Sequence, residues 1–128
     1  MKLSAETKAT IKLILDDYSK KQYAHLTKEE QKALGAFYTP SSLVIQMIEK
    51  FDNLKGTICD PAAGVGNLLV ACIIAGADPL NIYAIEYDYE TFQVLKRRLA
   101  QYGVPENHIV LGDATDPTTW EILQSRVA

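Results

Sequence analysis

Residues 58–69 read Ile-Cys-Asp-Pro-Ala-Ala-Gly-Val-Gly-Asn-Leu-Leu, and this segment is the most informative of the chain about its fold. A short apolar run ends in Asp60, a turn with two glycines follows, and a second apolar run begins after Gly66. Glycine lets a backbone turn sharply and lets a ligand approach without an intervening Cβ atom. In open α/β sheets, ligands bind in such turns at the carboxyl ends of the strands. The stretch therefore predicts a strand, a ligand-binding turn and a helix.

Two classes of ligand compete for this turn. A dinucleotide site follows the pattern G-x-G-x-x-G, but Leu69 stands where the third glycine is needed after Gly64 and Gly66. Asp60 at the strand end would repel a pyrophosphate and attract a cation. S-adenosyl-L-methionine carries a sulfonium and an ammonium group and no phosphate, so the turn favours that cofactor. An ordinary strand-to-helix turn without a ligand is the remaining alternative.

Composition indicates a folded protein with a modest core. The 128 residues are enough for one domain, and 48% of them are hydrophobic. The net charge of −3 gives no general attraction to nucleic acid. Residues 1–34 hold seven lysines and five acids, whereas residues 35–128 hold six basic residues and eleven acids. The first segment is the better candidate for touching a polyanion, although a solvated helix face is the simpler interpretation.

Cysteine usage and hydropathy indicate the cellular compartment in which the protein is expected. Cys59 and Cys72 fall in predicted buried elements and form no C-x-x-C motif, so we expect small apolar residues and no metal site. The longest apolar run, residues 68–75, is too short to span a bilayer. The first residues lack the pattern of a signal peptide. We therefore expect a cytoplasmic protein without membrane contact.

The first part of the chain is predicted to be helical. Ser4 can cap a first helix, and Thr27 with Glu30 has the spacing of a capping box for a second. Thr39 can cap a third helix with Pro40 at its first position. The third helix has a predicted buried stripe of Leu43, Val44, Met47, Ile48 and Phe51. We expect residues 1–34 to form a helical segment ahead of a partial cofactor-binding domain at 35–128.

Strands and helices then alternate. Strands are predicted to end at Asp60, at Glu86 and just before Gly112, with helices over 67–75, after Asp88 and after Asp116. This order predicts an α/β fold with three parallel strands, half of a Rossmann-like doubly wound sheet. The helix after Asp88 has a predicted inward stripe of Phe92, Leu95, Leu99 and Tyr102, and the basic run at 96–98 is expected to face water.

Each predicted strand ends in or just before an acid: Asp60, Glu86 and Asp113. The carboxyl ends of parallel strands meet at one crevice, so we expect the three acids to lie along one edge. Asp60 would offset the positive methionine end of the cofactor, Glu86 would accept both ribose hydroxyls, and Asp113 would accept the adenine amino group. The amide of Ala114 would serve a ring nitrogen of the adenine, and Ile85 and Tyr87 would sandwich its ring.

Four stretches carry a resemblance to a known family: residues 35–40 (Gly-Ala-Phe-Tyr-Thr-Pro), residues 60–66, the pair Ile85-Glu86, and Gly112-Asp113-Ala114. Together they resemble the cofactor-binding half of the N6-adenine DNA methyltransferases, especially the modification subunits of type I restriction systems. The resemblance covers residues 27–116. It implies a partial S-adenosylmethionine-dependent methyltransferase fold. The resemblance further implies cofactor contacts from Tyr38, Thr39, Pro40, Asp60, Ala62, Gly64, Gly66, Glu86 and Asp113.

One family motif is missing from these residues. The family holds the accepting adenine with N-P-P-[YF] or D-P-P-[YF] after a fourth strand, and Asp116-Pro117 is followed here by two threonines. We therefore assign no catalytic residue and expect cofactor binding without methyl transfer from an expressed piece, a truncated gene product or half of a split enzyme. DNA would be bound through a missing portion or a partner subunit. The alternatives are a non-catalytic interaction or regulatory protein, and a fragment of an RNA or protein methyltransferase.

The first strand also predicts a partner. In this fold its far side pairs with a fourth strand, which these residues do not supply. An unpaired edge is a template for another chain. We expect residues 57–59 to be covered by a second copy, by a complementing chain or by the amino-terminal helices.

Overall fold

A computed structural model of the protein describes residues 1–35 and 38–127. Across these residues six helices and three strands follow one another in this order: α1 (Ala5–Tyr23), α2 (Lys28–Gly35), α3 (Ser41–Glu49), β1 (Ile58–Asp60), α4 (Asn67–Ile74), β2 (Ile82–Glu86), α5 (Tyr89–Ala100), β3 (Ile109–Leu111) and α6 (Pro117–Arg126). Short 3-10 turns precede β2 and β3. None of the helices in these two ranges combines the length and apolar character needed to cross a bilayer.

The three strands form one parallel sheet in the order β1-β2-β3. Ile58 lies opposite Ile82, and Glu86 lies opposite Leu111. The strands therefore point the same way, and their carboxyl ends lie along one edge of the sheet. The predicted α/β architecture with three parallel strands is confirmed.

Side chains of β2 alternate between two cores, as the pleat of a strand requires. Ile82 and Ala84 join a large core that the helices α1, α3, α4 and α5 also enter. Tyr83 and Ile85 join a smaller core on the opposite face, with Leu123 of α6. The sheet is thus covered by several helices on one face and by α6 on the other.

The amino-terminal helix belongs to the large core. Ile11 and Leu15 of α1 are buried, and α1 packs against α3 and α4. The Met1 ammonium donates to the carbonyls of Glu49 and Phe51, which ties the start of the chain to the end of α3. A division of the chain after residue 34 stays a prediction.

Several predicted helix starts are confirmed because they depend on neighbours in sequence. Ser4 Oγ accepts from the Thr7 amide at 3.1 Å. The capping box forms in both directions, since the Glu30 amide donates to Thr27 Oγ1 and the Thr27 amide donates to Glu30 Oε1. The starts of α5 and α6 are capped by Asp88 and Asp116 as predicted.

The third helix differs from its prediction in two ways. Pro40, not Thr39, is the N-cap residue, and no side chain caps α3. The Thr39 carbonyl instead accepts from the Asn67 side chain at 2.8 Å, a contact that sequence spacing cannot show. Leu43 and Met47, predicted to be buried, are 46% and 36% exposed, because the apolar residues of α3 extend around more of its circumference than the core covers.

The outer edge of β1 has no strand partner among residues 1–35 and 38–127. Ile58, Cys59 and Asp60 are each half-buried. A second copy or a complementing chain at this edge stays a prediction.

Candidate functional site

The turn between β1 and α4 is closed by its own backbone. Asp60 Oδ1 accepts from the Ala62 amide at 3.0 Å, and the Gly66 amide donates to the Ala63 carbonyl at 2.9 Å. Gly64 and Gly66 have positive φ angles of 56° and 91°, which favour glycine over residues with a Cβ atom. The predicted turn is therefore present, with Asp60 at its entrance.

Gly66 meets a second requirement, because it is the N-cap residue of α4 and faces α5. A Cβ atom built on Gly66 would lie 2.9 Å from Leu95 Cδ1. The absence of a side chain thus lets the turn sit close against α5. The same residue serves both backbone conformation and helix packing.

Glu86 connects the ends of β2 and the glycine turn. Its carboxylate is 6% exposed; Oε1 accepts from the Gly64 amide at 2.9 Å and Oε2 accepts from the Asp88 amide at 2.8 Å. Sequence reasoning expected this carboxylate to accept ligand hydroxyls and missed its role in holding the turn. Each carboxylate oxygen accepts two hydrogen bonds, so one position per oxygen is left for a ligand.

The turn after β3 reaches the same edge. The Gly112 amide donates to the Glu86 carbonyl at 3.0 Å. Asp113 Oδ1 accepts from the Thr115 amide at 2.8 Å and from the Thr115 hydroxyl at 2.7 Å. Trp120 Nε1 donates to the Ala114 carbonyl at 2.7 Å, which joins this turn to α6.

The two aspartates of this edge have opposite electrostatics. Burial raises the pKa of Asp60; the hydrogen bond from Ala62 lowers it, and the Glu86 charge raises it further. Hydrogen bonds from the side chain and backbone of Thr115 lower the pKa of the exposed Asp113. A cation beside Asp60 would offset a charge that the fold otherwise holds at a cost.

The two residues of the predicted adenine sandwich, Ile85 and Tyr87, differ in exposure. Tyr87 is 76% exposed beside Glu86 and is free to meet a ring. Ile85 is completely buried in the core between the sheet and α6, on the face of β2 opposite to that of its neighbour Glu86. Only Tyr87 is available at this edge.

Residues 38–40 lie beside the turn. Tyr38 packs on Tyr23 with ring centres 4.9 Å apart, and burial raises the pKa of its phenol. The Thr39 carbonyl is joined to Asn67 at the start of α4. Ala36 and Phe37, the other members of the predicted element, lie outside the described residues. A cavity of about 360 Å³ adjoins the segment and is lined by Leu15, Asp16, Ser19, Tyr23, Tyr38, Thr39, Pro40, Ser41 and Asn67.

Two buried polar residues near this site were not predicted from the sequence. Arg98, predicted to face water, is 5% exposed, and its Nη1 donates to the Val65 carbonyl at 2.9 Å and to Asn67 Oδ1 at 2.7 Å. Arg98 stands three residues after Leu95 and four before Tyr102, so its position beside the apolar stripe of α5 was the available signal. Asn67 is also buried and had no signal beyond its place after Gly66.

Two comparisons with known proteins give a match. Residues 15–123 match the family model for N-6 DNA methylase. The chain is 31% identical over 87 residues to the Type II methyltransferase M.VspI of Vibrio sp. (strain 343). The match covers 66% of this chain and 21% of that relative, so the chain spans about a fifth of the relative's length. No solved structure matches.

Proposed function

Because the chain belongs to the N-6 DNA methylase family, we propose that it is the S-adenosyl-L-methionine-binding part of an adenine-specific DNA methyltransferase of a restriction-modification system. One observation carries the proposal. The buried Glu86 carboxylate is fixed by two backbone amides beside the glycine turn, at the edge where β1, β2 and β3 all end. A carboxylate fixed in this way is preorganised to accept two ligand hydroxyls.

Charge supports this cofactor over a dinucleotide. Asp60 and Glu86 lie at one edge, and the Glu86 charge already raises the pKa of Asp60. A pyrophosphate would add negative charge to that edge, whereas the ammonium and sulfonium groups of S-adenosylmethionine would offset it. When bound, this cofactor supplies an electrophilic methyl group.

We propose that each part of the cofactor is bound by a different part of this edge of the sheet. Glu86 binds the ribose, while Asp113, the Ala114 amide and Tyr87 bind the adenine ring. The methionine end is bound by Tyr38, Thr39 and Pro40 on one side and by Asp60, Ala62, Gly64 and Gly66 on the other. The exposed Tyr87 and Asp113 are accessible to a ligand without any rearrangement of the core.

Methyl transfer needs more than these residues provide. The 128 residues contain no N-P-P-[YF] motif to hold an adenine. We propose that they bind the cofactor without transferring its methyl group, and that DNA is engaged through a further portion or a partner subunit that also pairs with the edge of β1. Incubation with DNA and radiolabelled S-adenosylmethionine tests this, because label in adenine would contradict it.

Isothermal titration with S-adenosylmethionine tests the binding proposal. We expect saturable binding to the wild-type chain, no binding of NAD, and binding weakened at least about tenfold by Glu86→Gln, which exchanges one acceptor oxygen for a donor. Glu121→Ala, which removes an exposed acid of α6, is the matched control and should bind normally. Circular dichroism checks that each variant is folded.

The same titration decides against the rival function. An interaction or regulatory protein that keeps only the fold would give no heat with S-adenosylmethionine, or would bind it equally well after Glu86→Gln. Either result would overturn the cofactor-binding proposal.

A further inference from the structure

A buried arginine of α5 contacts three parts of the molecule at once. Arg98 Nη1 donates to the Val65 carbonyl within the glycine turn and to Asn67 Oδ1 at the start of α4. Its guanidinium carbon lies 3.6 Å from the ring centre of Tyr18 on α1, a cation–π arrangement. One side chain therefore joins α1, α5 and the turn.

Asn67 extends this set of contacts to the segment before α3. Its Nδ2 donates to the Thr39 carbonyl at 2.8 Å. A guanidinium only donates and a carbonyl only accepts, so the Asn67 amide has one orientation that satisfies both neighbours. Arg98 selects that orientation because it requires an acceptor, which turns the donor of Asn67 towards Thr39.

The buried side chain of Arg98 does not satisfy all of its own hydrogen-bond donors. Its Nη2 has no hydrogen-bond partner in the described part of the chain, although it is buried. Burial also lowers the pKa of this guanidinium. A buried donor without a partner is unfavourable, and such groups in native proteins call for an explanation. We take the contacts of Arg98 through Nη1 and with the Tyr18 ring as the explanation for its burial.

We propose that Arg98 and Asn67 are positioning residues of the cofactor site, which hold Thr39 at a fixed place relative to the glycine turn. The inference rests on the proposed function, in which the two segments bind opposite sides of one methionine end. Neither residue is required to touch the ligand. Each acts through the Thr39 carbonyl and the Val65 carbonyl, and the ring of Tyr18 holds the guanidinium between them.

The variant Asn67→Asp tests whether Asn67 positions residues 38–40 for the cofactor or only stabilises the fold. The aspartate keeps an acceptor for Arg98 and makes that contact an ion pair, so the unfolding midpoint should stay close to the wild-type value. Its second oxygen faces the Thr39 carbonyl, and two acceptors repel, so residues 38–40 should lose their fixed position. We expect the Kd for S-adenosylmethionine to rise about tenfold, which corresponds to the loss of one hydrogen bond between neutral groups.

Asn53→Asp is the matched control. Asn53 is exposed, and its Oδ1 accepts from the Lys55 amide, a bond that an aspartate also accepts. This variant adds the same charge away from the site and should leave the Kd unchanged. Arg98→Lys tests the other positioning residue, because it keeps the charge and loses the forked donor. Arg98→Lys should also weaken binding several-fold.

The outcomes distinguish the inference from the proposed function. If the wild-type chain does not bind S-adenosylmethionine, the proposed function fails. If the wild-type chain binds and folded Asn67→Asp and Arg98→Lys bind equally well, the positioning role is wrong while the function stands. Loss of binding that always accompanies an equal loss of stability in both variants would also overturn positioning in favour of a structural role.

Discussion

Two turns at the same edge of the sheet, residues 60–66 after β1 and residues 112–116 after β3, look alike in sequence and differ in the structure. Each joins a strand to a helix through glycine and aspartate. Residues 63–66 of the first turn are buried, and the Glu86 carboxylate holds them. The second turn is mostly exposed and is held by the hydrogen bonds of its own Asp113.

The contrast shows why equivalent positions acquire different properties. Burial raises the pKa of Asp60, whereas hydrogen bonds without burial lower the pKa of Asp113. Removal from water disfavours a charge, and hydrogen-bond donors favour it. The first turn thus keeps a charge that the fold does not stabilise, which is the arrangement expected of a binding residue. The second turn instead holds a carboxylate whose charge its own hydrogen bonds stabilise.

Gly66→Ala should produce the largest difference between the two turns. A Cβ atom there combines an unfavourable φ of 91° with a 2.9 Å approach to Leu95. We expect a loss of about 3 kcal/mol in the free energy of unfolding, from backbone strain and overpacking together. Urea denaturation followed by circular dichroism measures it.

Substitutions at two other glycines separate the cost of backbone strain from the cost of overpacking. Gly56 has a φ of 82° and open space around it, so Gly56→Ala reports strain alone, about 1 kcal/mol. Gly112 has no positive φ, but its Cβ would lie 2.7 Å from Thr119 Oγ1, so Gly112→Ala reports crowding alone. A loss from Gly66→Ala no greater than that from Gly56→Ala would show that contact between the first turn and α5 is loose.

Glu86→Gln should have the next largest effect on stability. The carboxamide offers one acceptor oxygen where the carboxylate offers two, so either the buried amide of Gly64 or the amide of Asp88 loses its partner. An unsatisfied buried donor costs about 2 kcal/mol. Hydrogen exchange of the two amides measures the change locally. Unchanged protection of both amides would contradict the conclusion that the Glu86 carboxylate holds the turn.

Asp60→Asn should act in the opposite direction. The folded chain holds the Asp60 proton more tightly than the unfolded chain, so stability falls as pH rises from the usual aspartate pKa through the raised folded value. The variant avoids this loss and should be more stable than the wild type at pH 7, with the difference closing in acid. Its binding of S-adenosylmethionine should weaken. Denaturation curves across this pH range, with titrations at pH 7, measure both.

Asp113→Asn should give the smallest change, with the reverse sign. The lowered pKa contributes stability above the usual aspartate value, and this contribution disappears as pH falls through the folded value. The variant should be slightly less stable at pH 7, and the difference should vanish at low pH. The same pH series measures it. If both aspartate variants were more stable than the wild type at pH 7, or both less stable, the two turns would not differ in the way described here.

Local chemistry explains the parts of the fold that sequence predicted well. The caps at Ser4, Thr27, Asp88 and Asp116 formed because each partner is two or three residues away along the chain. The cap predicted at Thr39 is not formed, since Pro40 is the N-cap residue of α3, and the Thr39 carbonyl is bonded to Asn67 of α4, distant in sequence. The buried stripe of α3 was partly wrong because only neighbouring helices decide which apolar side is covered.

Local sequence was enough to predict the order of strands and helices, the two positive-φ glycines of the turn, and the position of three acids along one edge. These follow from periodicity, from the freedom of glycine and from the common direction of parallel strands. Tertiary structure alone decided that Glu86 holds the turn, that Asp60 is shielded from water and Asp113 is not, and that Arg98 lies in the interior. Burial is set by what packs over a residue, and that information is spread across helices far apart in the chain.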